Sequence, residues 1–259
     1  MNNNLNSNAS IIGSLPSFEV VYDIIKYSSF GHLREEIIAA FSDTNLFNKR
    51  TEESRLRILR AIDNSILTFK NEKHENFINY VYSIERFRPY YPFVLFLQLL
   101  ANNKLFYLIC KNVFLEIYFS GRLYIKTEDV ASYLYYLKES EQDLKKWTDS
   151  TIKTTSSKIL TLLRKVDLIE GRRNKEIKYI SLNLQQKVML INFILAVEPN
   201  LVNILDSRYI GFFFIEKSNL IATLKDMKLT KYFDIYTTSN SVKINAKKEI
   251  KGSLDAIYN

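Results

Sequence analysis

The chain has 259 residues, a formal net charge of +8 and an isoelectric point near 9.3, which is enough length for one large domain or two or three small ones, each with its own hydrophobic core. Its single cysteine, Cys110, leaves no intrachain disulfide and argues against a cysteine-based zinc site, so a reducing cytoplasm is the expected compartment. Against only six Gly and four Pro, 17 Tyr and 17 Phe predict helices packed on bulky cores, and the basic balance favours a polyanionic partner.

Residues 1–14 begin polar and Asn-rich, without the basic-then-apolar pattern of a cleavable signal, and are expected to be a disordered leader. A helical domain is predicted over residues 15–122. Residues 17–26 place Phe18, Val21, Ile24 and Ile25 on one face, and residues 31–41 do the same with Leu33, Ile37, Ile38 and Phe41 before SDTN breaks the pattern. Thr51 opens a helix expected to reach Phe69, with Leu56, Leu59, Ile62 and Ile66 inward and Arg55, Arg57 and Arg60 outward. Glu52, Glu53 and Asp63 partly cancel those arginines. Another helix over residues 71–85 is followed by Pro89, whose ring disfavours helix just before it.

Pro92 suits the first turn of the next helix. Residues 90–119 are apolar enough to resemble a membrane span, but Asn102, Asn103 and Lys104 divide them, and neither piece reaches the roughly 20 apolar residues that a bilayer requires. A buried helical hairpin is expected there, with no membrane partner.

Residues 123–183 read as a winged-helix unit. A helix over 127–139 carries Val130, Ala131, Leu134 and Leu137 on one side, and a short piece over 141–147 leads to a longer helix. Thr148, Asp149 and Ser150 can cap that helix, and Ile152, Ile159, Leu163 and Val166 recur at helical spacing. Its other face holds Thr151, Lys153, Thr154, Ser157, Lys158, Thr161 and Arg164, hydroxyls and cations suited to phosphate oxygens and base edges. Leu168 and Ile169 then start a β run, EGRRNKE makes a polar turn, and residues 177–182 return. Arg172, Arg173 and Lys175 sit at the tip. Over residues 151–180 eight Lys or Arg face three Asp or Glu, so this stretch carries +5 of the total charge. The same charges also fit a merely hydrated surface, and winged helices bind proteins as well as nucleic acid. Trp147 stands where it can anchor the longer helix, with base stacking as the alternative.

Residues 184–259 start with an amphipathic helix over 184–197, followed by a brief helical piece over 201–205 and a buried strand or turn, YIGFFFI. Ser218 can cap a helix over 219–227, and residues 232–236 can pair with 242–245. Helix plus hairpin makes this a second winged-helix-like unit. Its tip is neutral, and Lys225, Lys228, Lys243, Lys247, Lys248 and Lys251 leave a structural role or a protein interface as its expected use.

Catalytic signatures are missing. There is neither a GxxxxGK[ST] loop nor a GxGxxG turn, and His32 and His74 lack partners at metal-ligand spacing. No nucleophile and base stand in a recognised motif. The expectation is a non-enzyme with no cofactor and no metal.

SRLRILRAI at residues 54–62, the aromatic-rich middle, and WTDSTIK at residues 147–153 leading into LLRKVDLI together resemble the BrxA family of bacterial BREX phage-exclusion systems. The resemblance implies antiphage defence and a helical protein with winged-helix units and similarity to the antitermination factor NusB. It also implies binding of double-stranded DNA alongside a methyltransferase, an ATPase and a phosphatase-like subunit. Carried onto this chain, that role puts Lys153, Thr154, Ser157 and Lys158 in or beside the major groove, with Arg164 on the same helix. Arg172, Arg173 and Lys175 then fall on phosphates or the minor groove. The fold expected is mainly α, an N-terminal helical bundle followed by a winged-helix unit and a second winged-helix-like C-terminal unit. Two other functions remain open: a protein-interaction scaffold within the defence complex, and an RNA-binding, antitermination-like factor using Arg55, Arg57 and Arg60.

Overall fold

In the computed structural model, which describes residues 4–30, 36, 37, 39, 47–238 and 240–256, the chain is mainly α, with strands among the described residues only in two short antiparallel pairs. The helix expected over 31–41 lies largely outside the described residues, as does His32. Packing divides the chain into two units: the described residues of Met1–Thr68 and Tyr82–Tyr179 form one, and those of Phe69–Val81 and Ile180–Asn259 the other. The division differs from the four consecutive segments expected, because residues 69–81 pack with the C-terminal part of the chain.

The first unit corrects the expectation of a disordered leader. Leu5–Ser14 is a helix, α1, in which Leu5, Asn8, Ile11 and Ile12 are buried along one face. The asparagines that made the segment look unstructured have specific partners. Asn4 caps the helix, its Oδ1 accepting from the amide of Ser7 at 2.8 Å. Asn8 is fully buried; its Oδ1 accepts from the Leu105 amide at 3.1 Å and its carbonyl from Asn103 Nδ2 at 3.0 Å. Buried amide side chains so bonded replace the apolar residues that a composition argument looks for.

Helix α2 (Phe18–Ser29) buries Val21, Tyr22, Ile24 and Ile25. Helix α3 (Glu52–Ser65) begins at the expected cap, Thr51, but ends before Phe69. Side-chain amides take over the carbonyls beyond its end: Gln98 Nε2 donates to Ile66 and Thr68, and Asn102 Nδ2 to Ser65 and Thr68. Those bonds stand in for the missing helical ones. Leu56 and Arg55 are half-buried, while Arg57 and Arg60 are exposed. Helix α4 (Glu72–Ser83) is followed by a 3-10 turn, Glu85–Tyr90, that contains Pro89.

Helix α5 (Tyr91–Asn102) accepts Pro92 in its first turn and is buried almost all round. Asn103 separates it from α6 (Lys104–Ile109), its Oδ1 capping the Phe106 amide at 2.9 Å, and a π-turn over Cys110–Phe114 joins α6 to α7 (Leu115–Phe119). Among the described residues no helix is long and apolar enough to cross a membrane. The Tyr82 and Tyr91 rings lie 4.4 Å apart, tilted by 34°, and exchange hydroxyl-to-carbonyl bonds, with Tyr22 against both; burial pushes all three phenols upward.

In the second unit, α10 (Leu184–Val197) starts at a reciprocal cap in which Asn183 and Gln186 each accept the other's amide. Instead of presenting an amphipathic face, it is buried over Val188–Ile194. Phe193 lies against His74, Phe77 and Tyr209. His74 is thus a core residue, its Nδ1 accepting from the Lys70 amide at 3.2 Å. YIGFFFI is a buried 3-10 turn. Helix α11 (Lys217–Leu224) is shorter than expected, and its cap position is Glu216 instead of Ser218. Strands β3 (Phe233–Thr237) and β4 (Val242–Ala246) pair antiparallel with Ile235 opposite Ile244, and a final helix (Ile250–Asp255) follows.

Candidate nucleic-acid interface

Two helices and a small hairpin form the site. Helix α8 (Thr127–Ser140) is capped at Lys126, whose amide donates to Asp129 Oδ2 at 2.7 Å. A 3-10 turn over Gln142–Leu144 leads to α9 (Asp149–Lys165), capped by Thr148, whose Oγ1 accepts from the Thr151 amide at 3.2 Å. Its buried stripe is Ile152, Thr155, Ser156, Ile159, Leu160, Leu162 and Leu163. Ser156 tolerates this because its hydroxyl donates to the Ile152 carbonyl at 2.8 Å.

Asp167, in the left-handed conformation at φ 66, turns the chain out of α9. Strand β1 (Ile169–Glu170) then pairs with β2 (Glu176–Ile177), and the segment 123–125 extends the pair: Ile177 N donates to Leu123 O at 2.8 Å and Ile125 N to Lys175 O at 3.0 Å. The hairpin tip depends on Gly171. Its φ is +80, and a β-carbon there would stand 2.1 Å from the carbonyl oxygen of Asn174.

The side chains singled out in the sequence fall into two groups. Lys153, Thr154, Ser157 and Lys158 are exposed and line one open groove of about 520 Å³, together with Thr161, Leu162 and Lys165 of α9 and Ile12, Gly13 and Leu15 from the end of α1. No carboxylate is in that lining. Arg164, Arg172, Arg173 and Lys175 take no part in it. Arg164 is exposed elsewhere on α9, and Arg172 and Arg173 are exposed at the hairpin tip. Lys175 is half-buried, and its ammonium donates to the Arg172 carbonyl at 3.0 Å, so it braces the tip. Trp147 is buried at 6% exposure and donates from Nε1 to Asn6 Oδ1 at 2.9 Å, which makes it an anchor between α9 and α1 and removes base stacking.

Sequence reading missed Lys165 and the whole α1 wall. Lys165 donates to the Pro16 carbonyl at 2.9 Å and lies 5.5 Å from the centre of the Phe18 ring. Burial, and then the neighbouring Arg164, pushes its ammonium pKa down. The recurrence of Leu5, Ile11, Ile12 and Leu15 was the available signal for α1, hidden by the polar residues among them.

Three cations near the site are held in ion pairs. Lys104 pairs with Glu141, Arg122 with Asp129 and Lys178 with Asp167. Among the described residues Lys153, Lys158, Arg164, Arg172 and Arg173 make no ion pair. No group of His, Cys, Asp and Glu among the described residues could hold a metal ion.

A model of the BrxA family matches residues 9–192, which takes in the groove, α9 and the hairpin. The chain belongs to the BrxA family. Membership makes it a BREX-associated protein. A comparison with curated proteins finds no match. The BrxA match covers α1 from Ala9 onward and stops within α10, so the hairpin of β3 and β4 lies outside the family's matched region.

Proposed function

We propose that this BrxA family member is a non-catalytic, double-stranded DNA-binding component of a BREX antiphage system, acting beside a methyltransferase, an ATPase and a phosphatase-like subunit. The helices α8 and α9, the hairpin after them and the added segment 123–125 follow the order of a winged helix. The observation that carries the reading is the set of exposed cations without ion pairs among the described residues on α9 and the hairpin tip, Lys153, Lys158, Arg164, Arg172 and Arg173. Unpaired lysines and arginines release condensed counterions when they meet phosphates, and that release drives sequence-tolerant binding.

A second reading is favoured by exposed apolar side chains at the base of the hairpin: Leu123 is 63% exposed and Tyr179 89%. Such a patch suits docking of another subunit. The two are separated by binding a labelled duplex, with single-stranded DNA and RNA as competitors, to the protein and to R172E/R173E and R172Q/R173Q variants. DNA binding predicts preference for duplex and progressive loss from wild type to the Gln and then the Glu variant. Equal affinity in all three proteins would overturn it, and capture of a BREX subunit without duplex affinity would establish docking instead.

A further inference from the structure

Helix α1 runs alongside α9 for most of its length. Asn6 meets Trp147 before the start of α9, Gly13 lies under Lys158 near the middle, and Pro16 receives Lys165 at the end. The position of α1 limits what α9 can enter. A helix with its side chains is about 10–12 Å across and the major groove of B-DNA about 12 Å wide, so it admits one helix and not two side by side. The hydroxyls on the shared face are also committed. Ser157 donates to the Lys153 carbonyl at 3.1 Å and Thr161 to the Ser157 carbonyl at 2.9 Å. Donating to a base acceptor would need them to leave those bonds.

The groove between the helices has the chemistry of a different target. Lysine cations stand along one wall, and Ile12, Leu15 and Leu162 supply apolar surface for sugar carbons. Neither wall contributes a carboxylate, and α1 has no charged residue at all. Gly13 lets the Lys158 side chain lie close to α1: a β-carbon there would come within 2.7 Å of Lys158 Nζ, the flexible end of that side chain.

We propose that the groove between α1 and α9 holds a single sugar-phosphate strand, with Lys153 and Lys158 on its phosphates and α1 as its second wall, so that α9 recognises backbone and not base edges. The inference rests on the DNA-binding reading and specifies its geometry. It explains why a polar, Asn-rich helix is fastened so firmly beside the cationic face.

The test uses the full chain with two probes. Tripolyphosphate, titrated at constant ionic strength, is followed through the backbone amide resonances of α1 and α9; duplex affinity is measured in parallel. In the wild type and in R172E/R173E, tripolyphosphate shifts the amides of Ile12, Gly13 and Leu15 together with those of Thr154 to Thr161. In K153A/K158A the shifts vanish. Gly13→Glu sets a carboxylate beside Lys158 and also abolishes them, whereas Gly13→Ala retains them. One phosphate contact is worth about eightfold in affinity at ~0.1 M salt, so Gly13→Glu weakens duplex binding by at least about that factor. Shifts on α9 without α1, or a Gly13→Glu protein with wild-type duplex affinity, would overturn the inference even if the hairpin arginines prove essential. Coupled shifts on both helices without any duplex binding would leave the phosphate groove standing and reject the DNA reading. Lys158→Ala serves where Gly13→Glu fails to fold, as judged by Trp147 emission.

Discussion

Asn8→Ala tests whether α1 is fastened as described. The side chain is fully buried, and its Oδ1 is the acceptor for the Leu105 amide, one of the first amides of α6 and therefore without a partner in its own helix. Alanine leaves that N–H buried and unbonded, at a cost of about 1–3 kcal/mol, and adds a small void. With roughly 2–4 °C of melting temperature per kcal/mol at this size, the expected fall is about 2–12 °C. Asn6→Ala is the matched comparison. It removes the acceptor of Trp147 Nε1 at a half-buried position where water can substitute, and is expected to cost about 1 kcal/mol or less. Trp147 is the sole tryptophan and belongs to the same unit as α1, so its fluorescence reports that unit's unfolding. Asn6→Ala should alter native emission with little change in melting, and Asn8→Ala the reverse. A melting point for Asn8→Ala within about 1 °C of wild type, or no lower than that of Asn6→Ala, would refute the reasoning.

Two further outcomes follow from local geometry. Gly171→Ala forces a β-carbon against the Asn174 carbonyl at a positive φ; hydrogen exchange should show lost protection in the hairpin amides, and duplex affinity should fall although no charge has changed. An unaltered hairpin would contradict the stated role of Gly171. Cys110 is fully buried and its thiol is pushed upward by burial, so the native protein should resist an aromatic disulfide reagent at pH 8 and react fully once denatured. Rapid native labelling would mean that the helices around the π-turn open readily.

The parts of the fold that the sequence made legible are those with strong periodicity or one dominant local signal. The Thr148 cap, the apolar stripe of α9 and the polar turn at Gly171 occur where periodicity and turn chemistry placed them, because neighbouring residues decide them. The break at Asn103 and the first-turn place of Pro92 were legible for the same reason. The early end of α3 was not, since Gln98 and Asn102, some thirty residues away in the chain, take its carbonyls. Helix α1 was misread because its buried Asn8 looks polar in a composition, while the partners that satisfy it, Asn103 and Leu105, lie far away in the chain. At the candidate site, the exposed face of α9 was readable from helical spacing. The second wall was not, because Gly13 and Lys158 meet across more than half the chain.

The most direct test of DNA binding is the salt dependence of affinity for one labelled duplex, compared between the wild type and R172E/R173E. With Lys153, Lys158, Arg172 and Arg173 each on a phosphate, the logarithm of the affinity should fall against the logarithm of salt with a slope of about −3.6, and about −1.8 in the variant. A slope near zero, or one that the variant leaves unchanged, would contradict the account.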